Sequence, residues 1–150
     1  MRDSRVLVRL CLGVWLIVAS HYCLAGPLIT PQEAALPQAE ASTQGRAISR
    51  GPGIKQITPD QNAGGVKSPL NLKIAFEPRG GSKINTGSVN VVYLKNPIVD
   101  LTSRIKPGLS EAGIDLVGSE IPPGDHQIRV TVQDTEGRQS SALIALKVIH

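Results

Sequence analysis

Four stretches of this chain alternate apolar and polar side chains with a period of two, and that alternation constrains the fold more than any other feature. In LNLKIAFE, Leu70, Leu72, Ile74 and Phe76 share one parity, while Asn71, Lys73, Ala75 and Glu77 share the other. Successive side chains of a strand point to opposite faces, so the run reads as a strand with one face in a core and one in water. SVNVVYLK turns Val89, Val91 and Tyr93 inward, and GIDLVG does the same with Ile114 and Leu116. HQIRVTVQD turns Ile128, Val130 and Val132 inward and leaves Gln127, Arg129, Thr131 and Gln133 facing water. No run carries the 3.6-residue period of a globular helix.

The residues between these runs suit chain reversal. Pro78-Arg79-Gly80-Gly81, Asn96-Pro97, Pro107-Gly108, Pro122-Pro123-Gly124 and Glu136-Gly137 supply the fixed or positive φ that turns require. GIKQITP reads as an opening edge strand and IVDLTSRI as a short crossing strand. The final run, SALIALKVI, is apolar on both parities: a strand covered on two sides, a strand with an outward apolar stripe, or a short buried helix. Its β-branched residues favour a strand. About seven strands in residues 54–150 predict an all-β, antiparallel sandwich.

Upstream the texture differs. Residues 26–53 hold Pro27, Pro31, Pro37 and Pro52 among Ala, Gln, Ser and Gly, with no sustained period, which predicts a disordered linker. Pro37 would cut a competing helix over PQEAALPQAEA. Residues 1–25 have the three parts of a secretory signal: Arg2, Arg5 and Arg9, the apolar run LCLGVWLIVA, and small residues before a cleavage point between Ala25 and Gly26. The apolar run is about half of the roughly 20 residues that span a bilayer, so membrane contact is expected only in transit. The expected location is periplasmic or secreted, in a bacterium.

Cleavage there removes Cys11 and Cys23, so the remaining chain enters an oxidising compartment with no disulfide and depends on burial alone. It also removes Arg2, Arg5, Arg9 and Asp3 from the 16 basic and 12 acidic residues, which leaves 13 against 11. A nearly neutral chain whose aromatics, Phe76 and Tyr93, both have core parity offers nothing for nucleic acid to bind.

The succession ITPDQNAGGVKSPLNLKIAFEP, INTGSVNVVYL, IVDLTSRI and IPPGDHQIRVTVQDTEGR, closed by an apolar strand, resembles bacterial extracytoplasmic immunoglobulin-like domains. The resemblance covers residues 53–150 and implies a single immunoglobulin-like β-sandwich. Antibody-type core cysteines and tryptophan are absent, which leaves the topology open. Modules of this kind serve as spacers, adhesive units, enzyme accessories and ligand carriers, so the resemblance specifies a fold and leaves function open.

His126 is the one interior histidine after residue 25. It shares the parity of Ile128, so its ring should face the core at the mouth of its strand. In such sandwiches an aromatic at that corner bonds nearby backbone, which makes His126, with Pro122 and Gly124, a structural corner. A metal site needs three or four ligands, and besides His126 the chain after residue 25 offers only His150, with no Cys and no Met. Copper carriers of similar size use an N-terminal histidine or methionine-rich stretches, whereas this chain would begin Gly26-Pro27-Leu28. Asp134-Thr135-Glu136-Gly137 reads as a solvated hairpin turn, not a calcium loop, and Arg79 to Lys83 as a mobile turn, not a phosphate loop. No G-x-S-x-G is present.

Val92 and Leu94 lie opposite in parity to Val91 and Tyr93, and Leu143 and Ile149 occupy the outer parity of the last strand. These four predict an exposed partner-binding patch, or the last strand an edge for strand addition. The expected function is a non-catalytic exported module, without cofactor, acting through a protein or envelope component. The alternatives are a copper-type or small-ligand carrier and a cryptic hydrolase.

Overall fold

The computed structural model describes residues 27–39, 50–60 and 63–150. The proposed signal segment and cleavage point between Ala25 and Gly26 lie outside the described residues, as do positions 40–49 of the expected linker. The elements in chain order are α1 (Pro31–Ala34), β1 (Gly53–Thr58), β2 (Val66–Lys67), β3 (Leu70–Glu77), β4 (Ile84–Tyr93), β5 (Val99–Asp100), α2 (Thr102–Ile105), β6 (Leu109–Ser110), β7 (Gly113–Ser119), β8 (Gly124–Asp134) and β9 (Gln139–Ile149). A single 3-10 turn, Lys106–Gly108, joins α2 to β6.

The strands form two sheets, ordered β1-β3-β7-β6 and β2-β9-β8-β4-β5. Both are antiparallel apart from β2, which runs parallel to β9. The sheets share one core. Leu70, Leu72, Ile74, Phe76 and Ile114 enter it from the first sheet, and Val89, Val91, Tyr93, Ile128, Val130, Val132, Ile144, Leu146 and Val148 from the second. The alternation in the sequence therefore fixes which face of each long strand is dry, at roughly 1.5–3 kcal/mol for each large side chain removed from water. β9 resolves its two-parity pattern as an outward apolar stripe, with Ile144, Leu146 and Val148 buried and Leu143 and Ile149 exposed.

The crossing strand expected over residues 98–105 is a strand only at Val99 and Asp100, and its second half, Thr102–Ile105, is helical. Only Val99 and Asp100 pair with β4. The Asp100 carboxylate then accepts the Thr102 amide at 2.7 Å, turning the chain into α2. Leu101 and Ile105, four residues apart, both reach the core from this turn. That spacing fits one face of a helical turn and equally one face of a strand, so parity alone does not separate the two here. At Gly113, where β7 begins, φ is +147° and a Cβ would collide with the Ile74 carbonyl oxygen, so only glycine lets β7 approach β3 there.

The disordered linker expected over residues 26–53 does not describe residues 27–39 or β1's first residue. Leu28 and Ile29 belong to the core cluster. Thr30 and Glu33 form a capping box: the Thr30 hydroxyl accepts the Glu33 amide at 3.3 Å, and the Glu33 carboxylate accepts the Thr30 amide at 2.9 Å. One helical turn has no stability of its own. Arg104 supplies an anchor through paired bonds of 2.7 and 2.8 Å to Glu33 and a third, 2.9 Å, to the Leu28 carbonyl. The Arg104 guanidinium holds the Glu33 carboxyl at a pKa of about 2, against 4.5 for a free glutamate, even though partial burial pushes the other way. Farther along, Ala39 donates to the Leu94 carbonyl and Asn96 to the Pro37 carbonyl. Residues 27–39 thus form a strap across one end of the two sheets.

Candidate functional site

The four residues expected to form a patch are dispersed. Register places Val92 opposite Arg129, and Arg129 opposite Leu143, so the three lie in a row across the outer face of the second sheet. Val92 is half-buried there and Leu143 is 48% exposed. Ile149 is 41% exposed but sits six residues along β9, with its side chain beside Gly65. Leu94 is only 3% exposed, which removes it from the patch. β4 ends at Tyr93, so strand parity no longer governs Leu94, and the bond from Ala39 brings the strap against it.

The row lies next to an edge. β9 pairs with β8 along nearly its whole length, but on its other side the one described strand that pairs with it is β2, at Val148 and Ile149, while β1 packs near it without pairing. At the opposite end, Gly51 and Pro52 are buried and press on Gln139 and Ser140. Between these two covers, no described strand pairs with residues 141–147 on the side away from β8.

His126 is buried and has both ring nitrogens engaged. Nε2 lies 2.8 Å from the Pro122 carbonyl oxygen, which can only accept, so Nε2 carries the proton. Nδ1 is then the acceptor of the Tyr93 hydroxyl at 2.8 Å. Burial lowers the pKa of His126, the Pro122 bond opposes this, and the charge on Lys95 adds to the lowering. Burial likewise raises the Tyr93 hydroxyl to about 12. Gly124, at φ +141°, starts the strand beneath the ring, and Pro122 supplies the carbonyl. An imidazole occupied on both sides and kept neutral has no free lone pair for a metal or for an external proton.

Two further polar clusters are structural in geometry, and the sequence reading missed both. Lys95 is buried, donates to the Ala34 carbonyl at 3.0 Å and stands 5.3 Å from the centre of the Tyr93 ring, so its charge rests on a carbonyl dipole and an aromatic face. No periodicity marks it. The TPQE sequence of the strap does carry the S/T-x-x-E signature of a capping box, and that signal was readable.

Thr135, Glu136 and Gly137 are exposed, as a solvated hairpin turn requires, but Asp134 is not. Its side chain is fully buried, with one oxygen accepting the Glu136 and Arg138 amides at 3.0 and 2.9 Å. The other accepts Arg138 Nε at 2.7 Å and the Ser82 hydroxyl at 3.2 Å. Burial alone would raise the Asp134 pKa; the bonds from Arg138, Ser82 and Glu136 outweigh it and lower the pKa. Arg138 also reaches the Arg79 carbonyl at 2.9 Å, so residues 79–83, expected to be a mobile turn, are tied to the β8–β9 hairpin. Every acceptor position of this carboxylate faces a donor of its own chain.

Among the described residues no group of three or more His, Cys, Asp or Glu is placed to hold a metal ion. What the surface offers instead is a row of side chains, Val92, Arg129 and Leu143, beside an unpaired length of β9. No protein-family model matches the chain, and searches of curated proteins and of solved structures give no significant match.

Proposed function

We propose that this chain is an exported, non-catalytic immunoglobulin-like module that works through contact with a protein or cell-envelope partner. Strand order supports the fold assignment. Lettering β1, β3, β4, β6, β7, β8 and β9 as A to G gives sheets A-B-E-D and G-F-C, the immunoglobulin arrangement, with β5 flanking C and β2 flanking G. The His126 bond to Pro122, four residues upstream, stands where such sandwiches place a corner aromatic at the start of strand F.

A sandwich of this kind selects no activity by itself, so the surface has to supply one. The observation that carries the reading is the unpaired length of β9 with Leu143 exposed beside it. Native proteins blunt such edges with charge, proline or bulges unless the edge is used. Residues 141–146 contain none of these, and the one charge of the open length, Lys147, stands at its far end. The groups that could serve catalysis favour the same reading: His126, Tyr93, Glu33 and Asp134 each spend their hydrogen-bonding capacity inside the chain.

Site-specific photo-crosslinking from Leu143, with Val117 as control, tests the proposal. Val117 is 78% exposed on β7, in the other sheet. Discrete adducts from position 143 and none from 117, in cells producing the full chain, are expected. Adducts from neither position would reject the interaction reading.

A further inference from the structure

The ladder between β8 and β9 has a phase that the structure determines. At its hairpin end the Asp134 amide donates to the Arg138 carbonyl at 3.1 Å, and the register then runs one-to-one from Gln133 opposite Gln139 to Gly124 opposite Val148. Antiparallel pairs alternate between bonded and non-bonded. Ser140, Ala142, Ile144 and Leu146 therefore bond to β8, while Ser141, Leu143 and Ala145 turn their N–H and C=O groups away from it. The far side of β8 agrees: the Gln127 carbonyl, opposite Ala145, accepts the Leu94 amide and so points towards β4. Three donors and three acceptors in strand spacing thus face outward on β9.

Hollows follow the same edge. One of about 330 Å³ lies between Pro52, Ile54 and residues 140–142. A second of about 500 Å³ lies between β1 and residues 142–144. A third of about 450 Å³ reaches residues 145–147 under Pro59 and Val66. The middle hollow is mixed, with Ile54, the exposed Ile57 and Leu143 around it beside Lys55, Gln56 and Asp60. Charge varies along the edge: Arg79 lines the hollow at the hairpin end, Lys55 and Asp60 both line the middle one, and Asp60, Asp125 and Lys147 line the third.

We infer that this edge docks an extended peptide segment of a partner protein, which adds to β9 as an antiparallel strand over residues 141–147. The inference rests on the interaction-module reading and names its site. β2 already adds to this edge at Val148 and Ile149, so the incoming strand continues an addition that the chain itself begins. Antiparallel pairing is the more stable per residue. It sets the segment's N-terminal end by the third hollow, where two carboxylates, Asp60 and Asp125, face one Lys147 and favour basic residues, and its C-terminal end by the first hollow, where Arg79 favours acidic ones. The middle takes β-branched side chains against Ile57 and Leu143. Seven residues at about 3.4 Å each cover the open length.

The probe is a short peptide of alternating valine and threonine with a lysine pair at its N-terminus and a glutamate pair at its C-terminus. Amide hydrogen exchange of the chain beginning at Gly26 is read with and without it. Exchange at Ser141, Leu143 and Ala145 is expected to slow by about tenfold or more, while Ala142 and Ile144, already bonded to β8, stay unchanged. Ala145→Pro deletes an outward N–H that the β8 ladder does not use, a position where an edge strand tolerates proline. It should abolish the protection. Leu143→Glu, which needs no backbone change, should do the same and guards against a misfolded proline variant.

Unchanged exchange at all three amides, with this peptide and with its charge-reversed counterpart, would overturn strand addition. So would protection that persists in both variants. Protection that grows with protein concentration in the absence of peptide would assign the edge to a second copy and overturn the peptide assignment. Crosslinks from position 143 without amide protection would leave the module reading standing and remove only this site.

Discussion

Replacing Ile29 with alanine separates a docked strap from a disordered linker. In a disordered segment the change touches nothing and should lie within about 0.5 kcal/mol of zero, as surface substitutions do. In the structure Ile29 is 1% exposed and belongs to the common core. Truncating such a side chain loses its transfer free energy and leaves a cavity, about 2–5 kcal/mol in all. A ceiling applies, because the strap can let go as a unit and leave the two sheets folded. The loss therefore cannot exceed the strap's own docking free energy, and the lower half of that range, about 2–3 kcal/mol, is expected.

Urea unfolding of the chain beginning at Gly26 reads both quantities. The midpoint reports the loss, and a lower m-value would report a strap already released before the main transition. The exposed neighbour Gln32→Ala is the control and should be silent. A midpoint for Ile29→Ala that coincides with the control, at unchanged m, would refute the docked strap and restore the linker.

Tyr93→Phe leaves His126 Nδ1 buried with no donor and should cost about 1–3 kcal/mol. His126→Ala should cost more, since it also opens a cavity, and both should leave crosslinking from position 143 unaltered in protein that is still folded. Acid should act through Glu33 and Asp134, whose pKa values are lowered in the fold. Stability from a depressed carboxyl is present above its unfolded pKa and is lost as pH falls through the folded one. For Glu33 that window runs from about 4.5 down to about 2. Glu33→Gln should flatten the melting temperature against pH inside it, and an unchanged slope would detach Glu33 from the strap's stability. His126 adds a loss at higher pH: its neutral form is favoured in the fold, so stability declines as pH drops below about 6.5.

The sequence disclosed the long strands because burial on one face of a sheet writes itself as period two. Leu70 to Phe76 and Ile128 to Val132 are read without ambiguity for that reason. The shorter features are held by other means. Leu101 and Ile105 are spaced for a helical turn and for a strand alike, and four residues between apolar strands offer too little length for a period to show. Parity fails at Leu94 because the strand has already ended. The strap has no apolar face at all, only two buried residues, a capping box and a distant arginine. Arg104 lies 71 residues from Glu33, a separation at which local pattern says nothing. The edge of β9 was foreseen as an alternative, yet its phase and its hollows depend on neighbours that no single run of residues can reveal.

That same separation has a consequence for a chain that emerges N-terminus first. Leu28 and Ile29 leave the ribosome early, but the carbonyl of Glu120, which accepts both of their amides, follows about ninety residues later. Until then the strap has no seat: no core to enter, no Arg104 to grip and no backbone to pair with. The strap therefore waits on residues far behind it in the chain, and it can dock only once Arg104 and Glu120 are in place.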